Sequence, residues 1–276
     1  MSTLKTILIP TDFSENARHA LTLAVENFAS PETTFILLHS YKLRHYGAII
    51  STDLENILKE DSERDMKNEV EWVKATFPGI ELVSYLYQGM IVEVISAFVK
   101  KNPVDLVVMG TQGVTNAIGG LLGSNASNAI KYVQVPLIIV PASAKIEAFK
   151  KVLFATDAQA IDSTESITPL KKVLQSSDAT LDILHVMESL DSTRILEREE
   201  LKINQVFNDV DHAFHFSEQG DVEEEILKFA KENDIDLITL LARNYGFLEG
   251  IFHKSMTRKL SLHAKTPLFI LHESAD

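Results

Sequence analysis

A glycine-bearing loop near the middle of the chain has the residue types that hold a phosphate group. The apolar run at residues 104–109 predicts a buried strand, and five glycines occur between that run and Ser124. Glycines let a backbone approach a ligand closely, and the first N–H groups of a helix carry a partial positive charge. A strand, a glycine loop and a helix start at Ser124 therefore favour phosphate binding. A plain flexible connection is the alternative for this stretch alone.

A carboxylate follows another short strand near the beginning of the chain. Residues 5–10 are rich in branched apolar side chains, and Thr11 and Asp12 come directly after them. Asp12 is a candidate ligand-binding carboxylate, and capping of the following helix is the alternative. Ser14 is a plausible N-cap for a helix that runs to about Ala29.

The remaining polar clusters have simpler interpretations. His39 and His185 occur at the ends of two similar strands, which favours packing or local hydrogen bonding over chemistry. His212 and His215 are three apart in a predicted strand, so they face opposite sides and do not form a metal pair. The acidic run at 223–225 suits the first turn of a helix. The sequence has neither a Walker A motif nor a Gly-x-Gly-x-x-Gly fingerprint.

Composition limits the class of protein. The 276 residues are 45% apolar and include no cysteine, so disulfides and thiolate metal sites are excluded. A net charge of −13 argues against nucleic acid or an anionic membrane surface as a partner. No apolar run is long enough to span a membrane, and the first residues lack a signal-peptide layout. We therefore expect a cytoplasmic protein.

Strands alternate with helices along the chain. After the first strand and helix, strands are predicted at residues 34–40, 80–87, 104–109 and 135–140, with helices at about 53–77, 90–101 and 124–132 between them. Such alternation implies right-handed crossovers and a parallel sheet covered on both faces.

The second half of the sequence repeats the pattern of the first half. Residues 151–157 repeat the pattern of residues 5–12 with one residue fewer, and residues 181–186 repeat residues 35–40. From Gln88 onward the copies align without a gap at an offset of 131 residues, so that Gly119 pairs with Gly250 and Ser124 with Ser255. This is a tandem duplication. We predict domains at residues 1–143 and 149–276.

The two copies differ in the loop. Gly110 and Gly113 become Leu241 and Asn244 in the second copy, and Gly123 becomes Lys254. The charge is also unequal, because residues 1–145 carry a net charge of −3 and the remainder −10. A loop without its glycines in the more acidic copy is a poor place for a polyanion.

The chain resembles tandem members of the universal stress protein family over essentially its full length. The resemblance rests on residues 9–14 (Ile-Pro-Thr-Asp-Phe-Ser), on residues 37–39 (Leu-Leu-His), and on the pattern Gly110-x2-Gly113-x9-Gly123-Ser124. It implies an α/β fold of two tandem, doubly wound, parallel five-stranded sheets of the Rossmann-like, adenine nucleotide alpha-hydrolase-like type. Gln112 departs from the histidine that many ATP-binding members carry there, which puts any role of that histidine in doubt.

The resemblance also implies a nucleotide site in the first repeat. Asp12 would accept a hydrogen bond from the adenine or ribose, and the phosphates would lie on the glycine loop. The binding residues implied are Pro10, Thr11, Asp12, Ser40, Met109, Gly110, Gly113, Gly123, Ser124 and Asn125. The ligand would be ATP, with or without Mg²⁺. In α/β sheets of this kind, ligands bind outside the carboxyl ends of the strands.

The expected function is that of an ATP-binding stress-response regulatory protein with one nucleotide per chain. A slow ATP hydrolase is an alternative, although no lysine or arginine occurs between Gly110 and Ile130 to stabilise a transferring phosphate. A protein-interaction module without nucleotide is another. Within the chain, the repeats should form a pseudo-dimer through their last strands, residues 135–140 against 267–271, because bare apolar edge strands pair readily. A further homodimer and the identity of any protein partner stay open.

Overall fold

A computed structural model describes residues 4–42, 52–111, 124–156, 163–187, 193–218, 221–242 and 266–273. The strands are β1 (Thr6–Pro10), β2 (Thr34–Tyr41), β3 (Glu81–Gln88), β4 (Leu106–Gly110), β5 (Leu137–Val140), β6 (Lys151–Thr156), β7 (Thr180–Met187), β8 (His212–Glu218), β9 (Leu237–Ala242) and β10 (Leu268–His272). The α-helices are α1 (Glu15–Phe28), α2 (Thr52–Thr76), α3 (Ile91–Val99), α4 (Ser124–Tyr132), α5 (Thr168–Ser177), α6 (Thr193–Val206) and α7 (Val222–Glu232). A short 3₁₀ helix, Thr164–Ser166, precedes α5.

The predicted α/β fold is confirmed, and its two sheets join into one. Ten strands lie in the order β3-β2-β1-β4-β5-β10-β9-β6-β7-β8. All neighbours within a repeat are parallel, whereas β5 and β10 are antiparallel, with Ile138 opposite Phe269. The predicted pairing of the last strands is therefore confirmed. Because that pairing is antiparallel, the carboxyl ends of the two sets of parallel strands face opposite edges of the sheet.

Helices cover both faces of the sheet. Residues of α1, α2, α5 and α6 pack in one apolar cluster, and residues of α3, α4 and α7 pack in another. Strand residues alternate between the clusters, as in β4, where Val108 belongs to the first and Val107 to the second. All residues of β5 are 0 or 1% exposed, so the junction between the repeats is part of the core. No helix in the described part of the chain is long and apolar enough to cross a membrane.

One aspartate fixes the start of the first strand in each repeat. Asp105 Oδ2 accepts hydrogen bonds from the backbone N–H groups of Lys5 (2.9 Å) and Thr6 (3.1 Å). Asp236 Oδ2 does the same for Lys150 (2.8 Å) and Lys151 (3.0 Å). These aspartates are equivalent in the aligned repeats, so the duplication preserved this contact. Charge-assisted bonds to otherwise unpaired N–H groups are among the stronger hydrogen bonds in proteins.

Asn27 joins the repeats on the α1 side of the sheet. Its side chain is buried, and Oδ1 accepts hydrogen bonds from the backbone N–H of Phe149 (2.7 Å) and the hydroxyl of Ser177 (3.4 Å). Nδ2 donates to the carbonyl of Glu147 at 3.2 Å. One side-chain amide thus forms hydrogen bonds both to the segment between the repeats and to the end of α5.

We expect Asn27→Ala to lower the free energy of unfolding by about 1–3 kcal/mol, because the buried N–H of Phe149 loses its acceptor. Asn102→Ala is the matched control, since Asn102 Nδ2 bonds only the carbonyl of Phe98 in its own helix turn (2.9 Å). The control should lose about 0.5–1 kcal/mol. Urea unfolding of both variants measures the difference, and equal losses would contradict the joining role of Asn27.

Candidate functional site

The carboxyl ends of β1 and β4 form the candidate site of the first repeat. The strand order reverses here, because β1 pairs with β2 on one side and with β4 on the other. Leu8 lies opposite Val107, and continuing that register places Thr11 beside Gly110. Ligands in open α/β sheets bind in the crevice at such a switch point. The structure therefore brings together the two sequence segments that predicted the site.

The turn after β1 is fixed by short hydrogen bonds. Pro10 and Thr11 are buried, and the Thr11 hydroxyl accepts from the backbone N–H of Phe13 at 3.0 Å. Asp12 is half-buried, and its Oδ1 accepts from the N–H of Ser14 at 3.2 Å. Ser14 is the N-cap of α1, as predicted, and its hydroxyl accepts from the N–H of Ala17 at 3.2 Å. Asp12 thus shapes the turn before the helix and leaves the N-cap position to Ser14.

His39 supports this turn from β2, in agreement with its predicted local hydrogen-bonding role. Its Nδ1 lies 2.7 Å from the carbonyl oxygen of Thr11. Since a carbonyl only accepts, Nδ1 must carry the proton. Burial lowers the pKa of His39, which favours the neutral ring. The ring of Phe13 packs against it at a centroid distance of 4.3 Å, and Phe13 has a φ of 63°.

The other predicted site residues take different positions. Met109 is 6% exposed and packs in the α3/α4 core cluster. Ser40 is half-buried in β2, opposite Tyr87 of β3. Ser124 and Asn125 are exposed in the first turn of α4, where N–H groups have no intrahelical acceptor. Gly113 and Gly123 lie outside the described residues.

Gly110 permits a close approach that the sequence did not predict. A Cβ placed on Gly110 would lie 3.0 Å from the backbone carbonyl oxygen of Asn16 and 3.0 Å from its Nδ2. Such contacts are tighter than those of nearly all side chains, so α1 can begin against the end of β4 only because this residue is glycine. The start of α1 consequently lies against the carboxyl end of β4. Asn16 carries no motif that would have identified it from the sequence.

The corresponding edge of the second repeat is built differently. Leu241 replaces Gly110 and is 4% exposed, and Ala242 replaces Thr111. Among the described residues, the first α-helix after β6 begins at Thr168, twelve residues beyond Thr156, whereas α1 begins five residues beyond Pro10. A leucine in place of the glycine leaves less room for a helix start beside the strand. Asp157, Gly250, Lys254 and Ser255 lie outside the described residues.

His185 occupies the position of His39 in the second repeat. The residue is 0% exposed, and burial lowers its pKa from 6.5 to about 4. Its ring stacks with those of Phe214 (6.1 Å) and Phe216 (5.4 Å). The predicted packing role of this histidine is consistent with these contacts. His212 and His215 bond Asn204 (2.9 Å) and Asp182 (2.7 Å) respectively, and among the described residues no group of three His, Asp or Glu is arranged to hold a metal.

The geometry defines a class of protein, namely a tandem, doubly wound α/β protein with a glycine-containing switch-point edge in its first repeat. A sequence model of the universal stress protein family matches residues 3–141 and again residues 148–272. The chain therefore belongs to the universal stress protein family and is a tandem member of it.

Individual relatives agree with this assignment. Universal stress protein MJ0577 of Methanocaldococcus jannaschii is 30% identical in an alignment 154 positions long that covers 49% of this chain and 94% of that protein. Universal stress protein MJ0531 of the same organism is 29% identical over 140 residues, 49% of this chain and 81% of that protein. A universal stress protein from Archaeoglobus fulgidus has the same fold, with a TM-score of 0.73 and 21% identity over 98% of this chain and 97% of that one.

The buried His185 predicts a pH-dependent stability. Between its folded pKa of about 4 and the ordinary histidine value of 6.5, the unfolded chain binds more protons than the folded chain, so stability falls as pH falls. We expect His185 to account for a loss of about 1.5 kcal/mol in unfolding free energy between about pH 6.5 and pH 5. His185→Phe keeps the ring packing without the titration. Urea unfolding at both pH values should show a loss smaller by that amount, and an unchanged loss would refute the assignment.

Proposed function

We propose that this protein binds one adenine nucleotide, ATP, at the switch-point edge of its first repeat and serves as a stress-response regulator. The observation that carries the proposal is that the turn bearing Asp12 directly follows β1, and that Gly110 ends the neighbouring parallel strand β4. The loop that follows Gly110 has the spacing of the family's nucleotide-binding pattern, and α4 begins directly after it at Ser124.

Each part of the edge has a chemical task in this proposal. The carboxylate of Asp12 would accept hydrogen bonds from the adenine or ribose, with Pro10, Thr11 and the backbone of Ser40 shaping that side. The phosphates would lie over Gly110, Gly113 and Gly123, and the N–H groups and hydroxyl at Ser124 and Asn125 would bind the terminal phosphate oxygens. The side chain of Met109 would support this surface from the core. Residues 1–143 would form the binding domain and residues 149–276 a structural or docking partner.

Mg²⁺ would arrive with the triphosphate in this scheme. It prefers octahedral oxygen coordination from phosphates and water, with one or two carboxylates, so it needs no cage of protein ligands. The chain's own part would be to hold the nucleotide so that the phosphate oxygens and the metal lie at the start of α4. We place the protein in the cytoplasm, in keeping with its lack of cysteine.

Replacing a loop glycine should abolish most of the affinity. Gly123→Val, and likewise Gly113→Val, places a branched side chain between the backbone and the phosphates. We expect each to weaken ATP binding at least about tenfold, equivalent to about 1.4 kcal/mol. Ser255→Ala and Asp157→Ala in the second repeat are the matched controls and should bind normally. Titration calorimetry should give a stoichiometry near one; a value near two, or loss of binding in Ser255→Ala alone, would place the site in the other repeat.

Asp12→Ala should separate base recognition from phosphate recognition. Because Asp12 would contact the adenine or ribose, its removal should weaken ATP several-fold, by about 1–2 kcal/mol, while the affinity for inorganic triphosphate stays the same or rises. Glu15→Ala is the control, since it removes a carboxylate from the first turn of α1 at an exposed position. Equal weakening of both ligands by Asp12→Ala would mean that this carboxylate only shapes the turn.

A further inference from the structure

A groove lies in the second repeat, away from the switch-point edge. It has a volume of about 530 Å³ and runs between β8, the last strand of the sheet, and α7. The residues that line it are Leu184, Phe214, His215, Phe216, Ser217, Glu225, Lys228, Phe229 and Glu232. The volume falls within the range of small-molecule sites, and polar side chains form more than half of the lining.

The groove exists because β8 carries smaller side chains than β3. Strand pairing makes the positions equivalent, since Leu38 lies opposite Tyr85 in the first repeat and Leu184 opposite His215 in the second. The next pair on the same face of the sheet is likewise Tyr87 and Ser217. In the first repeat the rings of Tyr85 (5.1 Å) and Tyr87 (6.2 Å) pack over Phe98 of α3.

The equivalent phenylalanine of the second repeat is covered by smaller side chains. Phe229 of α7 aligns with Phe98 and packs against the smaller ring of His215, at a centroid distance of 4.8 Å. Ser217 turns its hydroxyl to Glu225 Oε2 at 2.7 Å. An aromatic ring and a half-buried carboxylate are therefore both presented to the groove.

Helix α7, which lines the groove, is more acidic than the equivalent segment of the first repeat. Glu225 and Glu232 stand where the aligned first repeat has Val94 and Lys101. Lys228 is the one cationic lining residue and is exposed at the rim, as is Glu232. His215 is anchored by Asp182 at 2.7 Å, which adds a carboxylate behind the aromatic floor. The more acidic repeat thus places its carboxylates around an aromatic surface.

We infer that this groove is a binding site for a small organic cation, a primary ammonium or guanidinium on an apolar body. The apolar body would pack on the ring of Phe229, and the cation would lie against the face of that ring and the carboxylates of Glu225 and Glu232. Aromatic faces attract cations, and a carboxylate in a partly desolvated groove strengthens the preference for positive charge. The inference is independent of the nucleotide site, since it concerns the other repeat.

Three probes of equal shape test the charge preference. They are 2-phenylethylamine (a cation), 2-phenylethanol (neutral) and phenylacetate (an anion), each titrated into the full-length ¹⁵N-labelled protein and followed by amide NMR. We expect saturable shifts in β8 and α7 for the amine with a Kd of about 1–10 mM, as suits so small a ligand. The alcohol should bind about threefold to fivefold more weakly, and phenylacetate more weakly still.

Two variants locate the site. Ser217→Tyr restores the residue of the first repeat and should fill the groove, so that amine binding falls at least about tenfold. Glu225→Gln keeps a hydrogen-bonding partner for Ser217 and should weaken the amine about threefold to fivefold while leaving the alcohol unchanged. The Glu225→Gln variant keeps the test decisive if Ser217→Tyr folds poorly. Tyr87→Phe in the first repeat is the matched control and should bind as the wild type does.

Clear results would overturn the inference. These are the absence of saturable binding of the amine at about 20 mM, equal affinities for amine and phenylacetate, or amine binding that both groove variants leave unchanged.

Discussion

The antiparallel pairing of β5 with β10 determines the shape of the whole molecule. Each strand is short and almost entirely apolar, and either would be a bare edge without the other. Their pairing removes both edges and merges two five-stranded sheets into one of ten strands. It also makes the carboxyl ends of the parallel strands point in opposite directions in the two repeats. The switch point of one repeat therefore does not complete that of the other.

Around this junction, the duplication has preserved some contacts and changed others. Asp105 and Asp236 hold the first strand of their repeats in the same way. Asp105 also forms an ion pair with Lys172 of α5 at 3.0 Å, which holds the pKa of its carboxyl below the usual range despite partial burial. Asn27 has no equivalent amide in the second repeat, where Val173 aligns with it. The two repeats therefore have nearly the same arrangement of strands, but the residues that join them differ between the repeats.

The same inequality separates the possible tasks of the two repeats. In the first, Gly110 admits the start of α1 directly beside the end of β4. In the second, Leu241 fills the equivalent position, and space opens instead at the outer strand, where tyrosines have been replaced by His215 and Ser217. Each repeat thus has small side chains at the place where the other has large ones. Such exchanges are a physical route by which a duplicated fold can acquire two different sites.

The sequence by itself determined the local structure and the family. Apolar runs of strand length, the Ser14 N-cap and the glycine spacing are local patterns, and they predicted the elements, the repeat and the β5–β10 pairing within a few residues. Only the tertiary structure revealed the contact of Gly110 with Asn16, the Asn27 junction and the groove over Phe229. Each of these depends on side chains that are distant in the chain and meet through packing, and no periodicity within one segment encodes such a meeting.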